Sequence, residues 1–220
     1  MSYRTVLCSL PAERVIKRSQ FIGRASPVST AEEAQSFIEE IRVEHRQATH
    51  HCWCYRIGSE RLQERYSDDG EPSGTAGLPM LEVLRKEDIT NCVAVVTRYY
   101  GGIKLGASGL VRAYTASCRD ALEAGEIICV EPFVCVKVRY SYASAGSCDY
   151  YLREQMLFEA DRSFDTAVNV TLQIPPDRLS AIHEALAERT AGQMEWREGT
   201  TIYLPTRDGK IVDITEARRA

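Results

Sequence analysis

No apolar run in this chain of 220 residues approaches the ~18 residues of a membrane-spanning helix. The N-terminal stretch MSYRTVLCSLPAERVIKR meets charge too early for a secretory segment, so a cytoplasmic protein with no membrane partner is expected. A surplus of positive charge is also missing: 27 Lys and Arg stand against 31 Asp and Glu, a formal net charge of -4. That excludes a generally basic nucleic-acid binder and leaves room only for a local basic patch. Neither a P-loop, a dinucleotide fingerprint nor G-x-S-x-G occurs, and no nucleophile stands at recognisable spacing from a base. No internal repeat is present.

What is there suits a folded chain, with 44% hydrophobic and 26% charged residues. The length predicts two compact α+β domains, 1–131 and 132–205, followed by a peripheral tail at 206–220. Eight cysteines (Cys8, Cys52, Cys54, Cys92, Cys118, Cys129, Cys135, Cys148) sit among apolar neighbours without an export signal, which predicts reduced core thiols rather than a disulfide framework.

Short strands are predicted at 3–7, 14–16 and 20–28. Thr30 with Glu33 reads as a capping box, and Ala34, Phe37, Ile38 and Ile41 continue at helical spacing to about residue 47. A strand at 51–58 leads into a long polar connection at 59–74. Leu78, Leu81 and Leu84 predict a helix over 75–84, with Pro79 near its first turn. A valine-rich run at 92–97 reads as a buried strand. The helix predicted over 108–124 places Leu110, Val111, Tyr114, Cys118, Ala121 and Leu122 on one face, with Gly125 as its stop.

After Glu131-Pro132 the pattern restarts. Alternation at 133–142, helical spacing at 147–156, strands at 157–160 and 166–174, a helix at 176–188 and a strand at 200–204 give β-α-β-β-α-β. That order predicts a ferredoxin-like domain. Leu179, Ile182, His183 and Leu186 are expected to face its core.

Chemistry concentrates in two segments. Strand, glycine loop and helix follow one another from Arg98 through Tyr99, Gly101, Gly102, Lys104, Gly106, Ser108 and Gly109 to Arg112. Free amides at such a helix N-terminus attract an anion, with Arg98, Lys104 and Arg112 supplying full charges; a tight packing turn is the alternative. The preceding polar connection carries Asp68, Asp69 and Glu71, which suit either a hard cation, pairing with the arginines of the loop, or a solvated turn. A third cluster, His50-His51-Cys52-Trp53-Cys54, has zinc-type ligands but no C-x2-4-C knuckle, which favours buried thiols over a metal site. No resident metal and no cofactor are expected.

The runs SDDGEPSGTAGLP at 67–79 and VAVVTRYYGGIKLGASGLVRAY at 93–114, with KRSQFIGRASPV and HHCWCYRIG upstream, resemble the YigZ/IMPACT family in its bacterial two-domain form. The resemblance is strong over about 12–125 and looser beyond. His51 and Cys54 stand where relatives usually have Asn and Ala, and Ser108 where Gly is usual. The resemblance implies a first domain like a small-subunit ribosomal protein and domain IV of elongation factor G, and a second like the ferredoxin-like domain V. It also implies kinship with eukaryotic translation regulators that restrain a starvation-activated kinase by competing for its activator. It carries no catalytic residues. The expected function is therefore a non-enzymatic translation-associated factor, its 67–112 surface meeting RNA phosphates or a ribosome-associated protein. The alternative is a small-molecule kinase-like enzyme in which Lys104 and Arg112 hold nucleotide phosphates and Asp68, Asp69 or Glu71 hold magnesium.

Overall fold

The valine-rich run becomes the middle strand of an antiparallel five-stranded sheet. The computed structural model describes residues 2–58 and 61–212, a mixed α+β chain that divides into units spanning 2–130 and 131–212. Among the described residues no helix is long and apolar enough to cross a membrane.

The first unit runs β1 (Tyr3–Val6), β2 (Ala12–Ile16), β3 (Ser19–Pro27), α1 (Ala31–Glu44), β4 (His50–Ile57), β5 (Gln63–Ser67), α2 (Gly77–Lys86), β6 (Cys92–Tyr99) and α3 (Ala107–Ala124). Its sheet has the order β2-β3-β6-β4-β5, so β6 is inserted between two hairpins. Both faces are covered, which explains the unbroken apolar character of β6. Ala94 and Val96 pack with Met80 and Leu84 of α2 and Ala113 and Leu122 of α3, while Val93 and Val95 pack with Phe37, Ile38 and Ile41 of α1. Each such buried valine contributes roughly 1.5–3 kcal/mol relative to exposure.

α1 is capped at Thr30, whose Oγ1 accepts from Glu33 N at 3.2 Å. Glu33 reaches back to the amide of Ser29, at 2.6 Å, one residue before the partner that a capping box predicts. The helix stops at Glu44, short of residue 47. β5 lies inside the expected polar connection; it is a polar edge strand whose one strand partner among the described residues is β4, so it carries no hydrophobic alternation. α3 ends at Gly125, but with φ of -74°, and the left-handed residue is Glu126 at φ 57°. Gly125 is favoured instead by crowding, since a Cβ there would sit 3.0 Å from the Cys8 carbonyl oxygen.

β7 (Ile127–Tyr140) gives its first four residues to the first unit, where they pair with β1, and the rest to the second. The second unit continues with α4 (Tyr142–Glu154), β8 (Phe158–Phe164), β9 (Val168–Ile174), a 3-10 turn at Pro176–Arg178, α5 (Leu179–Arg189), β10 (Glu195–Arg207) and β11 (Lys210–Ile211). Its strands lie in the order β11-β10-β7-β9-β8. Val136, Val138, Tyr140, Val170 and Leu172 pack against Leu152 of α4 and Ile182 and Leu186 of α5. His183 does not face this core. It is exposed and meets Trp196 edge to face at 4.9 Å. The chain from 206 is no loose tail at its start, because Thr206 is buried and bonded to Glu131 at 2.6 Å and β10 and β11 reach residue 211. Residues 213–220 of the expected tail lie outside the described residues.

Candidate functional site

Four chain segments converge at one end of the first unit's sheet. Register fixes this: His50 at the start of β4 pairs with Arg98 near the end of β6, and Gln20 at the start of β3 pairs with Tyr99. The β2–β3 turn at Lys17-Arg18, the 49–50 stretch, the acidic loop at 68–72 and the glycine loop at 100–106 are therefore neighbours. The last three, with the first turn of α3, enclose a cleft of about 440 Å³ lined by residues that include Thr49, His50, Glu71, Tyr100, Lys104 and Leu110.

The acidic loop is internally engaged. Asp68 accepts from the amides of Gly74, Ala76 and Gly77 at 2.8–3.0 Å, capping the N-terminus of α2 in place of the absent Ala76 side-chain cap. Asp69, at φ 42°, accepts from His51 N at 2.7 Å and faces Arg42 at 3.4 Å. Glu71 is buried; its Oε1 accepts from Arg98 Nη1 at 2.6 Å and from the Tyr114 hydroxyl at 2.7 Å. Of the roles open to these carboxylates, pairing with the loop arginine is the one the fold adopts for Glu71. Asp68 and Asp69 have both oxygens engaged by donors of the protein itself. Among the described residues no cluster of His, Cys, Asp and Glu is arranged to hold a metal ion.

Arg98 is accordingly not a free cation. Its guanidinium is buried under α3, donates to Glu71 and to Ser19 Oγ at 3.1 Å, and lies over the rings of Phe21 and Tyr100 at 5.2 and 5.3 Å. Tyr99, next in the strand, points to the opposite face, where its hydroxyl meets His45 Nδ1 at 3.0 Å. Strand parity thus separates Tyr99 from the cleft and brings Tyr100, which the sequence reading passed over, into it.

The glycine loop divides into a packed and an open part. Gly101 lies against the β2–β3 turn so closely that a Cβ would overlap the Arg18 carbonyl oxygen, and its amide donates to Ser19 Oγ at 3.2 Å. Gly102 and Gly106 take φ of 82° and 74° in open space. Gly106 is the N-cap of α3 and offers no side-chain cap. The amides of 102–109 have no protein acceptor among the described residues, and most of that segment is exposed. Lys104 lies on the cleft lining, whereas Arg112 and Ser108 are exposed on α3 outside it. Two cations escaped the sequence reading: Lys17 and Arg18, both exposed, in a turn where both have positive φ, of 45° and 66°. Their signal was the upstream KRSQFIGRASPV run.

Parity in β4 places His50, Cys52 and Cys54 on one face and His51 and Trp53 on the other. Cys52 and Cys54 are fully buried on the α2–α3 side, and burial pushes both thiols well above their usual range, so they stay protonated and inert. Cys52 donates to the Asp68 carbonyl at 3.0 Å. His50, on that same face at the start of the strand, lines the cleft. Its Nδ1 donates to the Asp69 carbonyl oxygen at 2.8 Å, since that oxygen only accepts.

Comparison with known proteins places this end of the molecule in context. The Impact N-terminal domain model matches residues 17–122, and a domain of unknown function matches 138–193. IMPACT family member YvyE of Bacillus subtilis is 39% identical over 92% of this chain and 94% of its own length. The chain belongs to the IMPACT family. IMPACT family member YigZ of Escherichia coli is 46% identical over 49% of this chain and 53% of its own. A crystal structure titled as a hypothetical protein aligns over 89% of this chain and 96% of its own, with 30% identity and a TM-score of 0.57. As an IMPACT family member of bacterial two-domain architecture, the chain carries its exposed glycine loop and its cleft wholly inside the matched first domain.

Proposed function

We propose that this IMPACT family member is a cytoplasmic, non-enzymatic factor of the translation apparatus that contacts RNA phosphates, or a ribosome-associated protein, through the end of the sheet just described. One observation carries the reading: the amides at 102–109 have no protein acceptor among the described residues, in a mostly exposed segment that leads into the uncapped N-terminus of an 18-residue helix. There the helix dipole and the free N–H groups favour an anion. Lys17, Arg18, Lys104 and Arg112 surround that point with exposed positive charge while the chain as a whole stays negative. Kinship with eukaryotic translation regulators supports the process. The order β10-β7-β9-β8 and the β-α-β-β-α-β succession support reading the second unit as ferredoxin-like, and with it the parallel to elongation factor G domains.

The test is crosslinking in growing cells, with identification of the attached RNA and protein. Ribosomal RNA or a ribosome-associated protein recovered with the wild type, and lost from a Lys104→Glu, Arg112→Glu double variant, is the expected outcome. Equal recovery from both chains sinks the proposed surface.

A further inference from the structure

The cleft beside the glycine loop is more than an anion cradle, because donors, an acceptor and an aromatic ring share its lining. The donors are the open amides of α3 and Lys104. The acceptor is Glu71, whose side chain is only 4% exposed and which uses Oε1 for both of its hydrogen bonds, leaving Oε2 with none among the described residues. That oxygen is available to a donor from a ligand.

The apolar and aromatic part of the lining is formed by Pro72, Tyr100, Leu105 and Leu110. Tyr100 is 45% exposed and lies over the guanidinium of Arg98, which holds the ring in place while leaving surface for a second planar group. The volume, about 440 Å³, falls within the usual range of roughly 300–1,000 Å³ for small-ligand pockets.

An anion, a planar ring and a hydroxyl donor together describe one kind of ligand. We propose that the cleft receives a single unstacked ribonucleotide of a single-stranded RNA: phosphate on the α3 amides and Lys104, base against Tyr100, and ribose 2′-hydroxyl donating to Glu71. A peptide carboxylate satisfies only the first of the three requirements, and a duplex cannot offer an unstacked base without opening. The proposal rests on the RNA reading above and sharpens it to a single-stranded, ribose-specific contact.

The experiment measures binding of the full-length protein to a short labelled oligonucleotide by fluorescence anisotropy, as single-stranded RNA, as the same sequence in DNA, and as an RNA duplex. Single-stranded RNA should bind best. Tyr100→Ala should weaken it by about tenfold or more, the effect of losing one stacked base, and Tyr100→Phe should bind as the wild type does. RNA bound equally well by wild type and Tyr100→Ala, or equal binding of RNA and DNA, overturns the nucleotide cleft while leaving a phosphate-contacting surface standing. No binding of any oligonucleotide by the wild type overturns both. Tyr100 is exposed, so a thermal melt matching the wild type assigns a loss of affinity to the cleft rather than to unfolding.

Discussion

Arg98 and Glu71, 27 residues apart in sequence, form a salt bridge of 2.6 Å in which the two side chains are 5% and 4% exposed. It fastens the acidic loop to the central strand, and Tyr114 ties both to α3. Removing one partner strands the other charge away from water. Arg98→Met or Glu71→Met is predicted to cost about 3–5 kcal/mol in urea unfolding, and the double substitution to cost less than the sum of the two. Additive losses, or a single loss below about 1 kcal/mol, contradict the structural role given to the pair.

The two neighbouring loop glycines should respond differently. Gly101→Ala forces a Cβ into the backbone of the β2–β3 turn, where nothing flexible can yield. Gly102→Ala meets empty space and suffers only the left-handed backbone, about 1–2 kcal/mol. Denaturant midpoints should therefore fall further for Gly101→Ala, and the reverse order would show that the turn does not pack on the loop as described.

Asp68 is a helix cap. Replacing it with Ala is predicted to lower stability by about 1–2 kcal/mol, by the same amount with magnesium or with a chelator present. A magnesium-dependent loss, or thermal stabilisation of the wild type by ATP with magnesium, would restore the kinase-like alternative.

His51 gives the fold a sensitivity to acid. Burial holds its imidazole below the ordinary value of 6.5, so the unfolded chain takes up the proton first as pH falls. The stability from this group is complete above about pH 6.5 and is lost on acidification towards the lower folded value. Thermal midpoints of wild type and His51→Gln should converge as pH drops from 7 to 5; parallel curves would remove His51 from the account.

Much of this was legible from local pattern. β6 declared itself by consecutive valines, α1 by Thr30, Glu33 and its apolar spacing, and the glycine loop by its position between strand and helix. What escaped was non-local. The sequence leaves open a pairing of the acidic loop with the loop arginines, but nothing local selects Glu71 as the carboxylate that neutralises Arg98. Tyr99 and Tyr100 are indistinguishable until the parity of β6 sends one to each side. β5 was hidden because an exposed edge strand such as Gln63–Ser67 needs no apolar alternation, and the basic Lys17-Arg18 turn because its approach to Gly101 depends on the β3–β6 register.

The central claim is that negative charge on a partner meets the open amides and exposed cations around α3. It is tested most directly by the salt dependence of RNA binding for wild type and the Lys104→Glu, Arg112→Glu variant. The account predicts that log affinity falls linearly with log salt for the wild type, by about 0.7 per phosphate contact on a single strand, with a shallower slope for the variant. Binding that ignores salt, or identical slopes for the two chains, would contradict it.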